Sequence, residues 1–273
     1  MAVTMADITH LRKMTGAGMM DCKNALTEAD GDYDKAMEII RKKGQAVAAK
    51  REDREASEGC VLATGGDGFA AIVALKCETD FVAKNADFVA LTKKFLDLAV
   101  EKQPASKEEL VALPLEGRPV SDWITEKIGV TGEKMELGFY EFIEAPATIF
   151  YIHPGNKLAT IVGFNQPAEL QVKKDVAMQV AAMNPIGLTQ DTIPANVIEK
   201  ELTIAREKAR EEGKPENMVD KIAEGRLNKF YKEVCLLQQE FIKDAKITVE
   251  QYLKNNDKSL AVTGFKRVTL NID

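Results

Sequence analysis

Ala70-Ala71-Ile72-Val73-Ala74-Leu75 and Leu158-Ala159-Thr160-Ile161-Val162-Gly163 are the two stretches on which the fold turns. Each is an apolar run of strand length preceded by a turn, Gly65-Gly66-Asp67-Gly68 before the first and Pro154-Gly155-Asn156 before the second. Upstream of the turns, Cys60 to Thr64 and Thr148 to Ile152 are further strand candidates, so each run closes a β-hairpin. A helix is expected after both. The first, capped by Asn85, sets Phe88, Leu91, Phe95 and Leu98 on one face, and the second runs from about Glu169 to Met183. Met135 to Glu144 and Leu260 to Leu270 offer each unit a late third strand. The pattern predicts an α+β fold whose duplicated core holds two small antiparallel sheets with helices.

Outward from this core, residues 1–44 read as three short helices. Thr4 and Asp7 cap the first, Thr15-Gly16-Ala17-Gly18 ends it, Asp30-Gly31-Asp32 turns the chain after the second, and the third ends near Gly44. So short a segment makes a small core, and the alternating charges from Lys50 to Glu58 read as a tether on which the bundle moves. Val197 to Arg210 and Asn217 to Tyr231 form an antiparallel helical hairpin around Gly213-Lys214-Pro215, either packed on the core or projecting as an arm. The expected division is a three-helix module with its linker at 1–54, a first core half at 55–144, and a second at 145–273 with the hairpin inserted at about 190–231.

Composition narrows the function. The chain has 273 residues, 45% hydrophobic and 29% charged, and no long apolar run, which suits a globular protein without a membrane segment. Met1 to His10 lack the order of a secretory signal, so a cytoplasmic location is expected. A net charge of -6 opposes binding to a phosphate backbone; direct nucleic-acid binding is not expected, and a protein partner is. Arg41-Lys42-Lys43 is a short run at a helix end, where positive charge sits favourably. Cys22, Cys60, Cys77 and Cys235 form no close pair, and His10 and His153 are the two histidines, so the cysteines read as buried reduced thiols rather than metal ligands. The chain contains no GxxxxGK[ST], HExxH or GxSxG motif, and Glu199, Glu201, Glu211 and Glu212 read as solvated helix faces. No cofactor, metal or catalytic residue is expected.

The two units differ at one junction. After its second strand the first inserts Glu78-Thr79-Asp80-Phe81-Val82-Ala83-Lys84-Asn85, whereas the second passes from Phe164-Asn165-Gln166 through Pro167 almost directly into its helix. The extra segment is not needed to join strand to helix. It reads either as a contact loop, with an acid beside an exposed aromatic, or as a staple in which Phe81 pins the helix to the sheet.

Thr79-Asp80-Phe81-Val82-Ala83-Lys84-Asn85 resembles the TDFVAKN signature of the elongation factor Ts family, and Thr15-Gly16-Ala17-Gly18-Met19-Met20-Asp21-Cys22-Lys23 is similar to that family's second signature. The resemblance covers essentially the whole chain. It implies a ubiquitin-associated-like N-terminal module, a coiled-coil arm, and guanine-nucleotide exchange on elongation factor Tu without covalent chemistry. Thr79, Asp80, Phe81 and Val82 would then insert into the GTPase near its Mg²⁺, with Phe81 as wedge. Met19 and Met20 would touch the partner, unless one of them fills the small core. Ile128-Gly129 would lie in a loop beside the wedge, and His153 would either reach the partner or stay a solvated turn residue. Glu240, in Leu237-Gln238-Gln239-Glu240-Phe241, stands where the family often has proline, which bears on the local connector only. Self-association is left open. The rival reading, an adaptor for ubiquitin-like folds, accounts for residues 1–44 but leaves the duplicated core without a purpose.

Overall fold

Small apolar residues at helical spacing build the first layer of the computed structural model, which describes residues 3–66 and 68–271. Asp67 of the expected turn lies outside the described residues, as do Met1, Ala2, Ile272 and Asp273. Helices α1 (Met5–Thr15), α2 (Met19–Glu28) and α3 (Tyr33–Ala49) close on Ile8, Leu11, Cys22, Ala25, Leu26 and Ala36. Thr4 and Asp7 form a capping box, and Gly16 ends α1 at φ +69°, a left-handed conformation that glycine adopts without a Cβ penalty. Gly44 behaves otherwise. It does not end α3, as its sequence position suggested; the helix continues to Ala49 and Gly44 is buried inside it.

The duplicated core follows as β1 (Glu58–Gly65), β2 (Gly68–Cys77), α4 (Asp80–Ala83), α5 (Ala86–Lys102), α6 (Lys107–Ala112), β3 (Pro114–Leu115), β4 (Arg118–Pro119), α7 (Val120–Thr131) and β5 (Glu136–Ala145). Then come β6 (Ala147–Ile152), β7 (Leu158–Phe164), α8 (Leu170–Met183), α9 (Ala195–Glu211), α10 (Glu216–Val234), β8 (Glu240–Phe241), β9 (Asp244–Thr248), α11 (Val249–Asn256) and β10 (Val262–Thr269). The sheets run β1-β2-β5 and β10-β7-β6, all antiparallel, so each unit is a hairpin whose second strand receives a late third strand.

Two-residue periodicity makes four layers of these parts. Ala71, Val73, Leu75 and Cys77 of β2 face α5 with Phe88 and Phe95, while Val162 and Phe164 of β7 face α8 with Val176 and Val180. The opposite faces, Ala70, Ile72 and Ala74 of β2 with Ala159 and Ile161 of β7, meet each other. Small side chains let the sheets approach closely: a Cβ on Gly163 would lie 2.8 Å from Ile143 Cγ2. Thr148, buried between the sheets, donates to Phe69 O at 3.1 Å and accepts from Gly66 N at 2.9 Å. All four cysteines are buried thiols, and burial pushes Cys60 up to about 11 and Cys77 up to about 12, so they are uncharged near neutral pH.

The N-terminal layer is docked on the core rather than hung from it. α3 crosses α7 where Gly44 meets Gly129; a Cβ on Gly129 would fall 2.5 Å from Gly44 Cα. Arg41 pairs with Asp122 at 3.7 Å beside the crossing. The charged stretch read as a free tether is pinned as well, because Lys134 Nζ donates to Glu52 O at 2.6 Å and Arg54 Nη1 to Glu78 Oε2 at 2.9 Å. Alternating charge here serves pairing. At the other end α9 and α10 bury Ala205, Ala209, Val219 and Ala223 as an antiparallel hairpin, with Gly213 at φ +70° in the turn. Among the described residues, no helix is long and apolar enough to cross a membrane.

Candidate functional site

Where β2 ends, the chain makes one tightly held turn of helix. Thr79 is extended, at φ -121° and ψ 153°, and its hydroxyl oxygen accepts from Val82 N at 3.4 Å to start α4. Asn85 then begins α5, its Oδ1 accepting from Asp87 N at 2.8 Å. Between these two caps, Ala83 is buried and Val82 half-buried against the first core cluster. Phe81 points the other way. It is 84% exposed, which rules out the staple reading. Leaving an aromatic in water forgoes about 1.5–3 kcal/mol of burial, a sum recoverable only against another surface.

Asp80 stands at the base of Phe81. Lys84 Nζ donates to its Oδ2 at 2.6 Å, and this hydrogen bond holds the Asp80 carboxyl below the ordinary aspartate range while raising Lys84. The turn is fixed from below by a residue that the sequence reading did not single out. Glu133 Oε2 accepts from Glu78 N at 3.1 Å and Thr79 N at 3.0 Å, and its Oε1 accepts from the Thr79 hydroxyl at 2.6 Å. Glu78 Oε1 in turn accepts from Lys134 N at 2.7 Å. No local signal marks Glu133, because its partners lie more than fifty residues away.

The other candidates divide. Met19 and Met20, in the first turn of α2, are 43% and 64% exposed; Cys22 and Leu26 fill the small core instead. His153 is exposed on the β6–β7 turn, with Tyr151 Oη 3.0 Å from its Nδ1. That turn adjoins α4: a cleft of about 180 Å³ is lined by Glu58, Asp80, Lys84, Gly155, Asn156 and Lys157, among others. Ile128 and Gly129 are not in a loop. Val120, Ile124 and Ile128 recur every four residues and make a buried stripe along α7, and Gly129 packs on Gly44. Both residues face other parts of this chain. Because α3 runs on to Ala49, Arg41, Lys42 and Lys43 lie inside the helix and not at its end as expected; each is paired, Lys42 with Glu38, Lys43 with Asp21 and Arg41 with Asp122, so they form no free basic patch.

Glu240 lies in the short strand β8, and its carbonyl accepts from the buried Gln179 Nε2 at 3.1 Å. The departure from proline is therefore absorbed by a local hairpin far in sequence from α4.

Comparison with known proteins agrees with the geometry. Residues 78–271 match the family model described as elongation factor TS, a span that begins just before α4 and ends after β10. The chain is 65% identical to elongation factor Ts of Porphyromonas gingivalis over 274 positions, with both chains fully covered. It is 59% identical to elongation factor Ts of Azobacteroides pseudotrichonymphae over 274 positions, and 49% identical to that of Bacteroides thetaiotaomicron over 330, again across the full length of each. The duplicated core, the clamped turn carrying Phe81 and this similarity from end to end lead to one conclusion: the chain belongs to the elongation factor Ts family of translation elongation factors.

Proposed function

We propose that the chain is the guanine-nucleotide exchange factor for elongation factor Tu, acting in the cytoplasm and making no covalent bond with its partner. The observation that carries this reading is Phe81, 84% exposed on a turn whose every neighbour is tied down. A solvated aromatic on a backbone already fixed is suited to entering a groove on another protein with little further loss of backbone freedom. Thr79 and Val82 brace it, and Asp80 offers a carboxylate that can leave Lys84 for a donor on the partner. Inserted beside the partner's nucleotide, this wedge displaces the backbone that orients Mg²⁺ and the phosphate cradle, and GDP leaves. A thousandfold acceleration corresponds to about 4 kcal/mol, within the range of one or two well-packed interface residues.

The three-helix layer, read as a ubiquitin-associated-like module, supplies a second contact through Met19 and Met20, whose flexible thioethers suit a protein surface. His153 extends the wedge face from the neighbouring turn. Ile128 and Gly129 serve recognition at one remove, by seating the module. The α9–α10 hairpin corresponds to the coiled-coil arm. Linkage fixes the cycle: a factor that weakens nucleotide binding is itself weakened by nucleotide to the same degree, so the tight complex is nucleotide-free and incoming GTP ejects the factor.

Release of a fluorescent GDP analogue from purified elongation factor Tu tests the reading. Substoichiometric amounts of the full chain are expected to accelerate release with turnover. No acceleration of an active partner would overturn the exchange role and return the chain to the adaptor reading.

A further inference from the structure

Three parts of the chain meet at the exit of α7. Gly132, at φ +74°, ends the helix in a left-handed turn, and the next two residues grip different segments. Through its carboxylate Glu133 holds the backbone of Glu78 and Thr79 and the Thr79 hydroxyl. Lys134 holds Glu78 through its backbone N–H and the connector through Nζ to Glu52 O. Arg54, on that connector, closes the set on Glu78 Oε2. In the last turn of α7, Gly129 seats the N-terminal layer. A single short segment, 129–134, therefore touches the N-terminal layer, its connector and the base of the wedge.

From this we infer that Glu133 is a positioning residue: it does not touch the partner but fixes the angle at which Phe81 is presented, relative to α7 and the layer docked on it. The chemistry fits that role. Glu133 spends both oxygens on three donors at the first residues of the turn, so the chain leaves β2 in one direction only. Thr79, thus fixed, caps α4, and two residues later the largely exposed Phe81 takes its direction from that backbone. A wedge must enter at a set angle, and a flexible base lets the partner push the ring aside instead of yielding. In kinetic terms the inference rests on the exchange reading; in structural terms it does not.

The test uses the full chain as wild type, Glu133→Ala, Glu133→Gln and Thr79→Val, with two readouts. In hydrogen exchange of the free protein, Glu133→Ala is expected to speed amide exchange in residues 78–84 at least tenfold while leaving α8 and β7 unchanged. Glu133→Gln, which keeps the shape and an acceptor oxygen, stays within threefold of wild type. In nucleotide release from elongation factor Tu, Glu133→Ala lowers the maximal rate at least tenfold and moves the half-saturating concentration less than threefold, and Glu133→Gln recovers most of the rate. Thr79→Val, which removes only the hydroxyl, falls between. Unchanged protection at 78–84 in Glu133→Ala overturns the clamp. So does protection lost equally throughout the core, which would make Glu133 a general structural residue. If wild type itself fails to accelerate release, the exchange reading falls and the protection readout alone decides on the clamp.

Discussion

The two halves of the core join strand to helix in different ways. Between β2 and α5 the chain takes eight residues, Glu78 to Asn85, and between β7 and α8 it takes five, Asn165 to Glu169. At the shorter junction the two amide side chains are tied to the segment before β10. Asn165 donates through Nδ2 to Ser259 O and accepts from Ala261 N, both at 2.8 Å, while Gln166 Nε2 donates to Asp257 Oδ2 at 2.8 Å. The aromatic that ends β7 just before it, Phe164, is fully buried. At the longer junction the polar groups are equally well satisfied, but they hold up an aromatic that stays largely in solvent. One architecture thus supplies a closed joint and a presented one. The proposed function is placed at the joint where restraint is spent on an exposed group.

If that contrast is right, the two phenylalanines fail in opposite ways. Phe164→Ala is expected to destabilise the chain by about 3–5 kcal/mol, because a fully buried ring leaves a cavity. Urea denaturation measures it, and a loss under about 1 kcal/mol would break the contrast. Phe81→Ala should change stability by no more than about 0.5 kcal/mol in the same assay.

Gly129→Ala sharpens the comparison from the side of α7. Its new Cβ meets backbone rather than a flexible side chain, so α3 and α7 must separate, at a cost of about 1–3 kcal/mol. Faster tryptic cleavage at Lys50 and Arg51, with the core still intact, is the expected result. Cleavage at the wild-type rate would mean that the crossing does not seat the N-terminal layer.

The smallest effect is at the wedge's own ion pair. Asp80 has its carboxyl lowered from the ordinary 3.8, first by the Lys84 hydrogen bond. The group is exposed, so its linkage to stability is slight. Its sign is clear: the pair is intact above 3.8 and weakens as pH falls through the lowered native value. Lys84→Gln should bring Asp80 back up towards 3.8 in an NMR titration, with nucleotide release at neutral pH changed less than threefold. An unmoved Asp80 would mean that Lys84 is not its principal partner.

Much of this was legible from residues alone, and the boundary between what was and was not is physical. The hairpins, the Asn85 cap and the late third strands rest on local periodicity and turn chemistry, and they lie where the sequence puts them. α6, with six residues, and the two-residue strands β3, β4 and β8 are too short for a period to emerge. Gly44 misled because glycine commonly stops a helix; here its missing side chain permits a close crossing instead, and only the partner glycine 85 positions away explains it. The segment 79–82 was singled out by resemblance, and the exposure of Phe81 needed the structure. Glu133 was not legible at all, since a glutamate after a glycine acquires its meaning from donors on another strand end.

The central proposal is that Phe81 carries most of the exchange, on a junction that presents it. Its most direct test is release of a fluorescent GDP analogue from elongation factor Tu at saturating wild-type chain and at saturating Phe81→Ala. The account predicts that the variant, folded and with an unchanged denaturation midpoint, releases nucleotide about a hundredfold more slowly, equivalent to about 2.7 kcal/mol of lost transition-state stabilisation. Release by Phe81→Ala at the wild-type rate would contradict it.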